Sequence, residues 1–382
     1  MKILPPKPRP VAVPSFLGKF LTGHSSPTAQ NRLGSDDKEI PRFIVLDAMR
    51  GVAAVSVVVY YATYRIMPMA YAGVDLFFML SGFVLSHSHG EELANGAGHR
   101  NFMIKRLIRL YPLYLVAFVV GAIVTSQMVS QGFADWTWRR FSESLILGMF
   151  FLPTPTTAWL GVFPLNGPSW SLFFELISNV VFGWTGWRIR PSLLIVAVSA
   201  PLLLWVIKWE DAGGGSTYVD FHRGFPRVFF SFFLGVVLYR LWATKFGPRP
   251  KVPPLLILFS MIALYAINPV FERKYDVILI FICHPVLIWL GAASHGPQRL
   301  TRAMTWLGAL SYAVYIIGSP VQQGIEVLLR PRLHLSWDEE MPSIFVWLVL
   351  PTVLVVAHLM TFRFDVPVRA RLSSWLITRR SD

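Results

Sequence analysis

The chain has few charged residues for its length. Lys, Arg, Asp and Glu make up 15% of its 382 residues, whereas soluble globular domains carry roughly 25%. Hydrophobic residues reach 54%, and the mean hydropathy is +0.51. So few polar side chains cannot cover a water-soluble particle of this size. We therefore predict an integral membrane protein that uses the lipid bilayer as its solvent.

Cysteine is almost absent. Cys283 is the single cysteine, which excludes an intrachain disulfide and a thiolate metal cluster, and we expect no metal cofactor. The first 42 residues contain no continuous apolar segment, which argues against a cleaved signal peptide. We expect residues 1–42 to form a disordered cytoplasmic tail and residues 373–382 a second cytoplasmic tail.

Long apolar runs dominate the rest of the chain. A helix that crosses a bilayer needs about 20 mostly apolar residues, and the runs predict an all-α bundle of about ten transmembrane helices. The predicted helices lie near residues 43–65, 70–89, 110–131, 168–187, 192–208, 225–243, 252–270, 275–293, 303–328 and 343–362.

The net charge of +14 would indicate a nucleic-acid partner in a soluble protein. Here most Lys and Arg residues fall in segments that are cytoplasmic if the amino terminus is cytoplasmic. The positive-inside rule therefore predicts that both termini are cytoplasmic, and we expect no nucleic-acid partner.

Two segments interrupt the series of helices. Residues 132–167 contain an apolar stretch too short to span, which predicts an interfacial or re-entrant lid over an outer cavity. Residues 209–224 contain a glycine run and predict a flexible outer flap. Tryptophans near the lid could stack on sugar rings or belong to the interfacial aromatic belt; they are Trp136, Trp138, Trp159 and Trp170.

Among the charged residues inside predicted membrane helices, three are candidates for the site, because charges there usually face a cavity or the bundle interior. Arg50 lies about a third of the way into the first helix, and it could alternatively extend to the inner interface or pair with Asp47. Asp75 and Glu175 lie near the outer starts of the second and fourth helices, so we expect them at similar depth. Asp75 could alternatively complement a helix dipole.

Arg106 and Arg109 lie beside the inner face of the membrane. Their i,i+3 spacing places them on one side of a helix, and paired guanidinium groups suit bidentate binding of phosphate. Basic residues that only set membrane orientation would give the same pattern.

Six blocks of sequence carry a resemblance to a known family. They are LDAMRGVAAVSVVVYY (46–61), GVDLFFMLSGFVL (73–85), KRLIRLYP (105–112), NGPSWSLFFEL (166–176), LGALSYAVYIIGSP (307–320) and RFDVPVRARL (363–372). In this order they resemble the membrane-bound acyltransferase-3 family, over residues 43–372.

The resemblance implies a ten-helix bundle that transfers an acyl group, usually acetyl, from cytoplasmic acyl-CoA to a hydroxyl of an extracytoplasmic carbohydrate or lipid-linked glycan. It implies a bacterial inner membrane as the location. By match to the family motifs, Arg106 and Arg109 are linked to donor binding, with Ser81 and Trp170 as further donor-site candidates. Arg50 would hold the donor or stabilise the oxyanion. Asp75 and Glu175 complete the candidate site.

Two positions depart from the family pattern. Tyr61 stands where the family has a histidine, eleven residues after Arg50, and Gly318 stands where a second histidine is common. Tyrosine, with an ordinary pKa near 10, is a poor base at neutral pH. Three alternatives follow: Glu175 or Asp75 serves as the base, Tyr61 acts from a perturbed state, or the protein is an inactive relative. A membrane transporter and a regulatory partner are the other candidate functions.

Overall fold

The computed structural model describes residues 43–63, 66–96, 98–132, 136–155, 161–186, 188–209, 212–335 and 341–378. These residues form helices joined by short turns, with no β-strand beyond one isolated bridge. We number the helices α1 (Ile44–Thr63), α2 (Gly73–Ala94), α3 (His99–Ser130), α4 (Trp138–Met149), α5 (Ser169–Thr185), α6 (Ile189–Trp209), α7 (Gly224–Ala243), α8 (Pro254–Ala266), α9 (Glu272–Ala293), α10 (Gln298–Leu333) and α11. Helix α11 begins as Val346–Leu359, passes through a π-helical turn at Met360–Asp365 and ends as Val366–Thr378.

Eight of the described helices are long and apolar enough to cross a membrane, namely α1, α2, α3, α6, α7, α9, α10 and α11. Helices α5 and α8, with 17 and 13 residues, occupy the other two predicted spans. The prediction of an all-α, polytopic membrane protein is confirmed.

Several helices are longer than predicted. Helix α3 begins at His99 rather than near residue 110, and α11 continues to Thr378 rather than ending near residue 362. Both predicted helix ends were placed where charged residues interrupt the apolar run. The helices continue past these residues because Arg106 and Asp365 are buried. The predicted tail at 373–382 is therefore helical as far as Thr378, while the tail at 1–42, residues 379–382 and Trp159 lie outside the described residues.

Glycines bring the central helices close together. Gly51 of α1 contacts the backbone of Leu307, and Gly308 of α10 contacts the backbone of Asp47. A Cβ atom at either glycine would overlap the facing helix. Helices α1 and α10 therefore pack with their backbones in near contact, as small residues allow in membrane bundles. Arg50, the neighbour of Gly51 on α1, is half-buried beside this contact.

Helix α4 enters the bundle without crossing it. The Tyr114 hydroxyl donates a 2.5 Å hydrogen bond to the Gly148 carbonyl, and the Tyr111 hydroxyl donates a 2.9 Å bond to the Met149 carbonyl. Tyr114 lies halfway along α3, so the end of α4 reaches the middle of the bundle. The chain then turns back at Phe151, which has a φ of 62°. A short helix bonded to the side of α3 fits both the interfacial and the re-entrant form of the predicted lid.

The two outer segments are bonded to each other. The Val162 amide donates a 2.8 Å hydrogen bond to the Ser216 carbonyl, and Gly161 pairs with Thr217 in an antiparallel bridge. The Asp220 carboxylate accepts bonds from two amides of its own loop. The predicted flexible flap is therefore wrong for residues 212–220, which form an anchored turn.

Candidate active site

A polar cluster lies in the middle of the bundle, where three helices meet. Arg106 of α3 and Glu175 of α5 form an ion pair with a distance of 2.7 Å between Nη2 and Oε1. Ser81 of α2 donates a 2.9 Å hydrogen bond to the same oxygen. The side chains of Arg106 and Glu175 are only 7% and 17% exposed. We call Ser81, Arg106 and Glu175 the central cluster.

Two further arginines lie near the central cluster. Arg50 of α1 and Arg109 of α3 both interact electrostatically with Arg106. Arg106 and Arg109 lie on the same side of α3, as predicted, but they differ in environment: Arg106 is buried and Arg109 is exposed. The structure thus gathers Arg50, Ser81, Arg106 and Glu175 in one region, with Arg109 at its edge.

Glu175 has the geometry of a proton acceptor. Its Oε1 accepts both bonds of the central cluster, and no hydrogen bond to Oε2 is formed by any described residue. Arg106 and Ser81 therefore fix the carboxylate while leaving its second oxygen for an incoming hydroxyl group. Of the predicted bases, Glu175 is the one that this geometry suits.

Asp75 lies in a different layer. Six residues separate it from Ser81 on α2, which corresponds to about 9 Å along the helix axis. Its Oδ1 accepts bonds from Arg227 Nε at 3.1 Å and Ser231 Oγ at 3.3 Å, while Oδ2 lies 2.8 Å from Arg227 Nη2. The expectation that Asp75 and Glu175 lie at similar depth is wrong. Asp75 pairs with Arg227 of α7, whereas Glu175 pairs with Arg106 of α3 in a different layer.

The surroundings of Asp75 do not suit the predicted role as a base. Its side chain is fully buried, and both oxygens are occupied. Arg227 also donates to the Gly214 carbonyl, which connects Asp75 to the anchored outer turn. Asp75 acts as the counter-ion of Arg227 and thereby holds α2, α7 and this turn together.

Trp170 belongs to the same layer as Asp75. Its ring lies 5.3 Å from the Arg227 guanidinium, a distance typical of a cation–π contact, and the side chain is 4% exposed. This position does not suit the predicted role in donor binding. Of the other tryptophans proposed to stack on sugars, Trp136 is buried and Trp138 is 58% exposed.

Tyr61 lies at the carboxyl end of α1 and is 37% exposed. Eleven residues of helix place it on the same side of α1 as Arg50, about 16 Å further along the axis. The Gln322 amide of α10 donates a 2.8 Å hydrogen bond to the Tyr61 carbonyl and a 3.0 Å bond to Glu326. Polar groups of α10 therefore surround this end of α1.

Gly318 is buried where α10 packs against α1. A Cβ atom at this position would lie 2.8 Å from Cγ2 of Val58. The glycine therefore allows the close contact between the two helices, and the space that a histidine would need is filled by Val58.

Three functional candidates were not found from the sequence. Arg227, like Arg50, is an arginine within an apolar run, and this pattern could have identified it from the sequence. Tyr315 of α10 bonds to Ser171 at 2.8 Å and interacts electrostatically with Tyr61, Arg227 and Glu175, so it lies between the two layers. The third candidate, Gln322, gave no signal, because glutamine near a helix end is common.

Comparison with known proteins identifies the class of this bundle. The family model of the acyltransferase domain matches residues 43–361. The chain belongs to this family, and it is a membrane acyltransferase of the kind that transfers groups other than aminoacyl groups.

Several curated proteins are similar in sequence. Protein 2 in picA locus of Rhizobium radiobacter is 39% identical over 178 residues, which are 43% of this chain and 93% of that protein. Peptidoglycan O-acetyltransferase OatA of Listeria monocytogenes is 22% identical, over 85% of this chain and 55% of that protein. Exopolysaccharide production protein ExoZ of Rhizobium meliloti is 23% identical, over 64% of this chain and 74% of that protein. No solved structure shows significant similarity.

Proposed function

We propose that the protein transfers an acyl group, with acetyl as the expected group, from cytoplasmic acyl-CoA to a hydroxyl of an extracytoplasmic carbohydrate. The observation that carries this proposal is the central cluster, a fixed carboxylate and a guanidinium in the middle of a membrane bundle. Charged groups at this depth are costly and usually functional. Two relatives are named for peptidoglycan O-acetylation and exopolysaccharide production, which supports a polysaccharide acceptor.

The donor side would be the end of the bundle where α3 begins. Arg106 and Arg109 lie one turn apart in the first half of α3, where Arg106 is buried in the bundle and Arg109 is exposed. Phosphates of coenzyme A would bind near Arg109, and the flexible arm of the coenzyme would extend inward until the thioester reaches the central cluster. Arg50 and Arg106 would then lie beside the thioester carbonyl, where positive charge stabilises a developing oxyanion.

The transfer step needs one base. The acceptor hydroxyl would give its proton to Glu175 while its oxygen attacks the carbonyl carbon of the thioester. The carbon–sulfur bond then breaks, coenzyme A leaves as a thiolate that takes up a proton, and the acceptor carries the new ester. This assignment allows the reaction without the histidine that Tyr61 replaces.

The acceptor side would be the opposite end, near Tyr61. Gln322 bonds to the backbone carbonyl of Tyr61 and to the carboxylate of Glu326, so amide and carboxylate groups lie beside this residue. Such groups bond readily to sugar hydroxyls. Tyr315 marks a polar route from this end to Glu175. The acceptor could be a polysaccharide or a lipid-linked glycan, and the proposed location is the bacterial inner membrane with both termini in the cytoplasm.

The proposal is tested with the purified protein in proteoliposomes. Radiolabelled acetyl-CoA is supplied together with peptidoglycan fragments or exopolysaccharide oligomers, and ester-linked label on the glycan is measured. Wild type is expected to transfer label, and Glu175→Gln is expected to lose transfer. Glu143→Gln is the matched control, because Glu143 lies on the exposed face of α4 and is 44% exposed.

The outcomes separate this proposal from its alternatives. Binding of coenzyme A without transfer by either wild type or Tyr61→His would indicate an inactive relative. Movement of a substrate into sealed vesicles without covalent change would indicate a transporter. Either result would contradict the enzyme proposal.

A further inference from the structure

The last part of α11 lies against the first half of α3. Leu372 of α11 lines a cavity of about 400 Å³ together with α3 residues that include Leu107 and Tyr111. Helix α10 joins the same junction, because the Tyr312 hydroxyl donates a 2.6 Å hydrogen bond to the Leu110 carbonyl. Residues 363–372 therefore reach the region in which the donor site is proposed.

Two arginines meet at this junction. Neither arginine lines the apolar cavity: Arg109 is exposed on α3, and Arg369 lies three residues before Leu372 on α11. Each is close enough to the other, and to Asp365, for electrostatic interaction. Helices α3 and α11 thus each carry one arginine at the contact between them.

Asp365 holds Arg369 in place. The two residues are spaced i,i+4 on one side of the helix, and Asp365 Oδ2 lies 2.7 Å from Arg369 Nη2. The Asp365 side chain is 4% exposed, and that of Arg369 is 31% exposed. Asp365 Oδ1 and Arg369 Nε have no hydrogen-bond partner among the described residues. The ion pair therefore fixes the guanidinium without using all of its N–H groups.

The junction carries more positive than negative charge. Asp365 balances Arg369, and Glu175 is bonded to Arg106. In the part of the chain that the structure describes, no carboxylate forms an ion pair with Arg109. Two guanidinium groups that share one carboxylate repel each other, and an anion between them would relieve this repulsion. The planar fork of arginine suits phosphate in particular.

We propose that Arg109 and Arg369 form a two-sided clamp for the phosphate groups of the acyl-CoA donor, with Asp365 as the residue that positions Arg369. The inference rests on the acyl-CoA donor of the proposed function. It assigns the phosphates to two helices rather than to α3 alone, and it leaves Arg106 bonded to Glu175 at the reaction centre.

The test measures the binding of coenzyme A and the kinetics of transfer from acetyl-CoA by the full-length protein in nanodiscs. Arg369→Gln removes the charge but keeps an amide that can bond to Asp365. We expect the dissociation constant of coenzyme A and the KM for acetyl-CoA to rise about ten- to hundredfold, because hydrogen bonds to charged groups are lost. The kcat should stay within about twofold, since the central cluster is unchanged.

Three further variants complete the test. Arg371→Gln is the matched control, because Arg371 is exposed on the same helix and has no part in the clamp. It should bind coenzyme A like wild type. Arg369→Lys should recover part of the affinity, and Asp365→Asn should weaken binding less than Arg369→Gln. Thermal unfolding of each variant verifies that it is folded.

The inference and the proposed function fail in different ways. If wild type binds no coenzyme A and transfers no label, the acyl-CoA donor is wrong, and the clamp fails with it. If wild type binds and transfers but Arg369→Gln has the affinity and KM of Arg371→Gln, the donor stands and the clamp is overturned. A fall in kcat with an unchanged KM in Arg369→Gln would also overturn it.

Discussion

Arg106 and Glu175 stabilise each other in a part of the molecule that is shielded from water. Breaking a buried ion pair by removing one partner costs about 3–5 kcal/mol, because an uncompensated charge remains. Replacement of Glu175 by alanine would therefore lower both the stability and the activity, and the two effects could not be separated. Glutamine keeps the shape and the bonds that Ser81 and Arg106 can donate to a carbonyl oxygen, and it removes the negative charge and with it the ability to accept a proton.

Glu175→Gln is thus expected to lower kcat by about 10²–10⁴-fold, the usual contribution of a general base. Binding of coenzyme A should change little, since the proposed phosphate contacts are Arg109 and Arg369 rather than Glu175. Single-turnover transfer from labelled acetyl-CoA measures the first quantity, and equilibrium titration measures the second. Unchanged kcat in a folded variant would remove Glu175 from the chemistry.

Asp75 should affect stability rather than the transfer step. Asp75→Ala leaves the buried Arg227 without its counter-ion, so we expect a loss of about 3–5 kcal/mol in the free energy of unfolding. The double variant Asp75→Leu with Arg227→Met should recover part of this loss. Thermal unfolding in detergent measures both. An Asp75 variant that is as stable as wild type yet inactive would contradict this structural role and would indicate that Asp75 is the base.

Tyr61→His and Gly318→His, which restore the two family histidines, should have different effects on stability. Tyr61 is 37% exposed, so Tyr61→His should fold and should keep or raise the transfer rate. Gly318→His should lower the melting temperature, because its side chain would displace Val58 from the α1–α10 contact. Thermal unfolding combined with the transfer assay compares them. Normal stability of Gly318→His would contradict the packing described for α10.

Single residues of the site could be predicted from the sequence, whereas their partners could not. Arg50 and Glu175 stood out because a charge within an apolar run is rare. The pairing of Asp75 with Arg227 could not be read from the sequence, because it depends on the contact between α2 and α7, which are 152 residues apart at this point. Depth along the helix alone therefore grouped Asp75 with Glu175 wrongly.

At the scale of helices, close packing depends on a few glycines. Gly82 of α2 contacts the backbone of Phe232 of α7, and Gly235 of α7 contacts the backbone of Met79 of α2. These two contacts hold the pair of helices that carries the Asp75–Arg227 ion pair. Because both neighbours are backbone atoms, they cannot rotate away from an added methyl group.

Gly82→Ala should therefore separate α2 from α7 and lower the yield of folded protein. Gly73→Ala on the same helix is the control, because its Cβ atom would lie 3.4 Å from a side-chain methyl group of Val57. Overpacking typically costs about 1–3 kcal/mol, and this difference is measurable by thermal unfolding. Equal melting temperatures for the two variants would contradict the close contact between the two backbones.

The number and type of the helices could be predicted, while several of their ends could not. Apolar runs of sufficient length identify a membrane helix wherever it occurs. Helices α3 and α11 extend beyond their apolar runs because Arg106 and Asp365 lie in buried positions, each with an ion-pair partner. Burial of this kind is set by tertiary packing, so a prediction from composition stops too early at charged residues.

At the scale of the whole molecule, the bundle separates two chemical environments. Arg109 and Arg369 at the contact of α3 with α11 suit phosphate, whereas Tyr61 and Gln322 at the end of α1 suit sugar hydroxyls. About 16 Å of α1 separates Arg50 from Tyr61. Glu175 lies between the two ends, so donor and acceptor would meet at the central cluster after entering from opposite sides.

Transfer across a sealed membrane tests this arrangement most directly. Proteoliposomes with uniformly oriented protein receive labelled acetyl-CoA on the face where α3 begins and glycan oligomers on the opposite face, with Glu175→Gln and Glu143→Gln assayed in parallel. The account predicts ester-linked label on the glycan for wild type and Glu143→Gln and none for Glu175→Gln. Label that appears only when donor and acceptor share one side, or that persists in Glu175→Gln, would contradict it.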